Sequence, residues 1–401
     1  MNSRVKMMVV TTSACLLVLL VLGAHLGKSA DQEGAYRQLA VYTEVLHRIK
    51  SEYVEEPDLK SVTLGAVNGM LESIDPFASY LNAEQYKEYI KKKEAHKADL
   101  GLVLSKRFGY LGVVAALPGS PAAKAGLSTG DMVESIKGVA TRDMPLAYAE
   151  LLLKGDAGST IELSVMRVRR PEPHKITLAR SVLAFPAMAS QMMPDQVGYL
   201  RPQGLSQGRV DEVAAAVNSM TKQGAKRILL DLRYCAVGSP EDGVALANLF
   251  LDKGLISYVQ GQKVSRQDFQ ANPAKAVTRL PLAVLTNRGT ASGAEVAAAA
   301  LLDSQRAELV GERTYGDASI RRAVAMDDGS AVILSVAKYY SPSGKAIQDT
   351  GVTPPNLVAE LDAQLEADED SETKPDSPET PKKLEDDPLV KKAIELLARK
   401  S

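Results

Sequence analysis

Apolar positions in the first hundred residues recur at helical spacing: Leu39, Tyr42, Leu46, Ile49 and Tyr53, then Leu64, Val67, Met70, Leu71 and Ile74, where "DPF" ends the run. The spacing predicts helices over residues 33–97 that pack on a neighbouring domain. From Asp99 to about Leu183 the texture changes to short apolar strands broken by Gly and Pro, such as "YLGVVAAL", "DMVESIKG" and "STIELSVMRV". Between them "SPAAKAGL" and "MPLAYAELLLKG" read as short helices, the second closed by Gly155. Residues 196–358 alternate strands and helices: "VGYL", "RVDEVAAAVNSMTKQG", "RILLDLR", "DGVALANLFLDKG", "PLAVLTN", "GAEVAAAALLD" and "RAELVG", then paired strands from Ser319 to Tyr340. That order predicts an α/β sheet with crossover helices and functional loops at the carboxyl ends of its strands.

Both ends of the chain differ from this interior. Arg4 and Lys6 precede about 18 mostly apolar residues, Met7 to Ala24, a length between the core of a signal peptide and a short spanning helix. Either reading implies export. Lys28 occupies the position where cleavage after Ala30 needs a small residue, so residues 7–24 are expected to stay as an inner-membrane anchor facing the periplasm. Beyond Leu365, "EADEDSETKPDSPETPKKLEDD" is acidic, Pro-rich and without apolar periodicity, the composition of a disordered tether. Leu389, Ala393, Ile394 and Leu397 then restore a helical stripe suited to a docking helix. The expected organisation is a leader over residues 1–30, a helical region over 31–97, a small β-rich module over 98–183, an α/β core over 184–360, a linker over 361–387 and a C-terminal helix over 388–401.

Composition removes several function classes. A formal net charge of −1, no Trp and 5% aromatic residues leave neither a basic field nor a stacking platform for nucleic acid. Cys15 lies in the apolar leader and Cys235 stands alone in the soluble part, so no disulfide framework is expected there. Cys235 has no nearby His to activate it and reads as the end of an apolar strand. His25, His47, His96 and His174 form no pair at helical spacing, with His96 in a solvated run and His174 in a surface turn. No metal site is expected. "SPSGKA" lacks the earlier glycine of a phosphate loop, and no cofactor is implied.

Taken in order, "VLHRIKSEYVEE", "IDPFASYLNAEQY", "LGLVLSKRFGYLGVVAALPGSPAAKAGLSTGDMVESIKG", "RILLDLR", "VLTNRGTASGAEVAAAALLDSQRAELVGERTYG" and "AKYYSPSGKAIQDTGVTPP" resemble the carboxyl-terminal processing, or tail-specific, serine peptidases of bacterial envelopes. The resemblance runs from about residue 36 to residue 358. It implies a multidomain α+β protein: a helical N-terminal segment, a PDZ domain and an α/β core of the crotonase or Clp-protease type. It also implies polypeptide C-terminal tails as ligands, held where the amides of Leu100, Gly101 and Leu102 start a strand and point at a carboxylate. A strand start in a rigid spacer is the alternative.

The resemblance places the family's nucleophile on Ser292 in "TASGAE", with the amide of Gly293 next to it at the start of a helix, where an oxyanion would be stabilised. Without that resemblance the same serine reads as an N-cap. The family's catalytic lysine falls on Asp317 in "GERTYGDASIRR", its assisting glutamine on Arg321, and its paired oxyanion-hole glycines on Val237 and Gly238. Val237 keeps an amide but resists the backbone angles that glycine accepts. An acid is the wrong tool for activating a hydroxyl: its reference pKa is about 3.9, against the ~7 to 8 of a desolvated lysine base. The expectation is a catalytically silent relative that binds tails through its PDZ domain and former active-site cleft, with an active homologous peptidase as a possible partner and Arg313 and Arg321 flanking Asp317 as ion-pair partners. The competing expectation keeps Ser292 as the nucleophile of an active endopeptidase with an atypical base.

Overall fold

The computed structural model describes residues 36–92, 98–107, 109–142, 144–167, 170–184, 187–206, 208–359 and 384–399. The expected anchor over residues 7–24, Cys15, His25, His96 and most of the acidic linker lie outside them. Among the described residues no helix is long and apolar enough to cross a membrane.

The chain forms two compact units, residues up to Ala66 and residues from Val67 onward. In the first, a helix over residues 36–52 leaves Leu39 and Tyr42 exposed and Leu46 and Ile49 half-buried. A second helix, Leu59–Ile74, ends where "DPF" begins. The region after it is not all helical. Ser79–Leu81 is a strand that pairs with Ala331–Tyr340, ahead of the helix Ala83–Lys92.

In the larger unit, a sheet of five hydrogen-bonded strands in series, Leu102–Arg107, Tyr110–Ala116, Met132–Ile136, Thr160–Arg167 and Arg170–Ala179, wraps the short helices Pro121–Lys124 and Leu146–Leu153. His174 pairs with Val165 inside the last of these strands rather than sitting in a turn. The segment after the "DPF" turn lies against this module. The amide of Lys106 donates to the Pro76 carbonyl at 2.9 Å, and Phe77 is buried in the module's own core.

The core is a six-stranded sheet in which Val197–Arg201, Arg227–Asp231, Leu282–Thr286, Ala307–Gly311 and the short edge strand Asn356–Leu357 run parallel, with an antiparallel strand, Ala189–Met193, at the other edge. The longer parallel strands are apolar on both faces because helices cover both. Leu200, Leu230 and Val284 meet the helices Arg209–Lys222, Pro240–Asn248 and Gly293–Asp303 on one face. Tyr199, Leu229 and Leu285 meet the C-terminal helix Pro388–Ala398 on the other, through Leu389, Ala393 and Leu397. Leu384, placed in the linker by its neighbours' composition, packs partly buried against this second cluster. The hairpin Leu255–Gly261 and Val264–Gln270, unanticipated because its second strand is mostly polar and exposed, joins Ala331–Tyr340 in a second sheet.

Candidate functional site

Ser292 sits immediately before the helix Gly293–Asp303, at φ 56° and ψ −126°. A positive φ at a residue with a Cβ costs on the order of 1–3 kcal/mol and persists only where the surroundings enforce it. Two bonds do so here. The Ser292 amide donates to Glu295 Oε2 at 3.2 Å, and its hydroxyl donates to the Gly238 carbonyl at 2.8 Å. The helix start is pressed against the neighbouring helix Pro240–Asn248: a Cβ on Gly243 would stand 1.9 Å from the Gly293 carbonyl oxygen, and one on Gly293 would stand 2.2 Å from that of Ser239. Only glycine fits at this crossing.

The residues placed by resemblance at the oxyanion hole lie beside Ser292. Gly238 adopts φ 133°, where a Cβ would meet Leu205 Cβ at 2.6 Å, whereas Val237 has no positive φ. The valine is therefore unstrained, because the unusual angle falls on the glycine. Gly293 holds the first helical position, where the amide has no intrahelical acceptor. It is the Gly238 carbonyl, not an amide, that faces the Ser292 hydroxyl.

Asp317 lies on the loop that follows the strand Ala307–Gly311. Its amide donates to Glu295 Oε2 at 2.7 Å, the Gly316 amide donates to Glu295 Oε1 at 2.7 Å, and the Thr314 hydroxyl also donates to Oε1. Glu295, fully buried, thus ties the loop to the serine's backbone. Sequence reasoning did not single it out. Its signal was the acid three residues after a serine at a helix start, which reads as an ordinary capping box. Burial pushes its carboxyl up to about 8, against the pull of Thr314 and the amides of Asp317 and Gly316.

The Asp317 carboxylate is paired with Arg321, whose guanidinium also lies over the Phe77 ring, 3.9 Å from its centroid. Burial raises the Asp317 pKa above the ordinary carboxylate range, Arg321 opposes this, and Asp75 and Asp349 add to the rise. Arg313 does not join this pair; it is exposed and forms no ion pair among the described residues. Among the described residues no amine or imidazole lies within hydrogen-bond distance of Ser292 Oγ. Lys338 Nζ instead donates to Asp349 at 2.7 Å, and Lys345 is exposed. Cys235 is buried in the turn beyond the strand Arg227–Asp231, and burial pushes its thiol up to about 12.

The β-rich module covers the site. Val114 and Ala115 pack on Ala236 and Ala291, the residues next to Val237 and Ser292, and Ser105 is hydrogen-bonded to the Tyr315 hydroxyl. At the start of this module the amides of Leu100 and Gly101 already donate to Asp99 Oδ1, at 2.5 and 3.2 Å. Those two amides are capped from within the chain, and Leu102 follows as the first residue of its strand. No group of three or more His, Cys, Asp or Glu side chains among the described residues is placed to hold a metal ion.

A peptidase-type core with a covering β-rich module is the class this arrangement defines. Residues 196–357 match Peptidase family S41 and residues 112–167 match the PDZ domain. The chain is 30% identical over 333 residues to the carboxy-terminal-processing protease of Bartonella bacilliformis, covering 82% of this chain and 76% of that one. It is 33% identical over 316 residues to a carboxy-terminal processing protease of Bacillus subtilis, covering 78% and 67%. Among solved structures, the photosystem II D1 C-terminal processing protease superposes with a TM-score of 0.65 at 28% identity, covering 78% of this chain and 86% of that one. The chain belongs to the carboxy-terminal-processing proteases of peptidase family S41.

Proposed function

We propose that this chain is a non-catalytic member of that family, which grips polypeptide C-terminal tails without cutting them. The observation that carries the reading is the state of the two reacting positions: the Ser292 hydroxyl donates to a carbonyl, and Asp317, where the family resemblance puts a lysine, is bonded to Arg321. A hydroxyl attacks only when a neighbour takes its proton, and a carboxylate beside a developing oxyanion repels it. Arg321 is protonated at all relevant pH values and cannot replace the base. The protein acts in the cell envelope, exported and held at the inner membrane by residues 7–24, where it presents or shields tails or serves an active homologous peptidase.

The competing reading, an endopeptidase using Ser292 with an atypical base, draws on the strained backbone at Ser292, a feature found at nucleophiles. Labelling the full chain with a fluorophosphonate, with Ser292→Ala as control, separates the two. The silent reading expects no difference between them. Robust labelling that the control lacks, together with turnover of a tail peptide, would falsify it.

A further inference from the structure

We propose that a hollow of about 560 Å³ between the PDZ sheet and the loop Gly311–Tyr315 receives the last apolar residue of a polypeptide tail, with Arg313 binding the terminal carboxylate. The inference rests on the tail-binding reading above and gives it a place. On the PDZ side, Ser105, Gly112 and Met132 are cross-strand neighbours on one sheet face, while Leu104, Leu111 and Val133, one residue along each strand, are buried in the module's core. Gly112 leaves open the space a side chain would fill: a Cβ there would touch only the Ser105 carbonyl, at 3.9 Å. On the core side, Leu357, Val358 and the Tyr315 ring make the wall apolar.

Charge selects the occupant. Two arginines and one acid line the hollow, and Arg288 is paired with Glu312 at 3.1 Å. Arg313 is left over, an exposed guanidinium with no ion pair among the described residues. An apolar body carrying a single negative charge matches this lining, and a planar guanidinium suits a carboxylate. Of the other candidate holder of a tail carboxylate, the Leu100, Gly101 and Leu102 amides, the first two already donate to Asp99. The same loop continues into Gly316 and Asp317, whose amides bind Glu295, so the occupant rests on the segment that is tied to Ser292.

The test is fluorescence anisotropy with the full chain and a labelled peptide ending in Ala-Leu-Leu, as free acid and as amide. The free acid should bind at least tenfold more tightly to the wild type. Arg313→Gln should remove that preference, and Gly112→Leu should weaken the free acid at least tenfold, each with an unchanged melting temperature. Should Gly112→Leu fail to fold, the surface change Arg313→Gln still decides. A free-acid preference that survives in both variants overturns the assignment to this hollow while leaving tail binding intact. Absence of binding by the wild type to either peptide sinks tail binding and this inference together. Displacement of the peptide by octanoate at equal concentration would reassign the hollow to free apolar acids and overturn the proposal.

Discussion

The amides of Ser292 and Asp317 donate to one oxygen, Glu295 Oε2, at 3.2 and 2.7 Å. The two positions to which the family resemblance assigns the nucleophile and the base are therefore registered by a third residue that touches both backbones. Replacing Glu295 by Ala leaves the buried Gly316 amide and Thr314 hydroxyl, and the part-buried amides of Ser292 and Asp317, without that acceptor. Unmatched buried donors cost about 1–3 kcal/mol each and do not add simply, so Glu295→Ala should lose about 3–5 kcal/mol in urea denaturation. A loss below 1 kcal/mol would show that the loop does not depend on this carboxylate.

The same carboxyl gives a pH signature. Burial raises it to about 8 in the folded chain, from an ordinary value of 4.5. A group that holds its proton more tightly when folded contributes stability in full below the unfolded value and loses it as pH rises through the folded one. Stability of the wild type should therefore fall between about pH 5 and pH 9 by an amount on the order of a few kcal/mol. Glu295→Gln should be less stable at the outset, since its amide group meets donors, yet should lack this component of the slope. Parallel pH profiles for the two proteins would show that another group titrates.

How much of this was legible beforehand follows from the kind of signal each feature leaves. The parallel strands announce themselves because burial on both faces demands apolar runs such as "RILLDL" and "LAVLT". The C-terminal helix shows through its apolar stripe, and the loop holding Asp317 through motif order. Phe77 in the PDZ core was not legible, since nothing local says that a residue closing a helix will insert into another module. Asp99 capping the amides of Leu100 and Gly101 was equally hidden, because an acid before a strand is common. Arg313 and Arg321 look alike in sequence. Only the fold separates them, turning Arg321 to Asp317 and Arg313 to the hollow under Gly112.

Asp317 and Arg321 should respond unequally to substitution. The raised pKa of Asp317 means that a neutral side chain suits its site, so Asp317→Asn should change stability by less than about 1 kcal/mol at pH 7. Arg321→Met leaves Asp317, near Asp75 and Asp349, without its ion-pair partner and removes the contact over Phe77, at a cost of about 1–2 kcal/mol. That gap from wild type should narrow as pH falls and Asp317 takes up a proton, which the raised pKa brings on earlier than for an ordinary carboxylate. A gap independent of pH would assign the loss to packing on Phe77 alone.

Arg233 joins the sheet to the C-terminal helix. Its guanidinium binds Asp231, which is fully buried at the end of its strand, and Asp387, each at 2.7 Å. Asp387 in turn caps the helix through the amides of Leu389 and Val390. Burial works to raise the Asp231 pKa, but Arg233 prevails and holds it below the ordinary value. Arg233→Met would leave that charge buried with its chief partner gone, a change that costs about 3–5 kcal/mol. Asp387→Asn keeps a capping oxygen and loses only the outer ion pair, so about 1 kcal/mol is expected. Limited proteolysis should release the C-terminal helix faster from Arg233→Met than from Asp387→Asn. Equal release from both would mean that the outer pair, rather than the buried acid, sets the strength of docking.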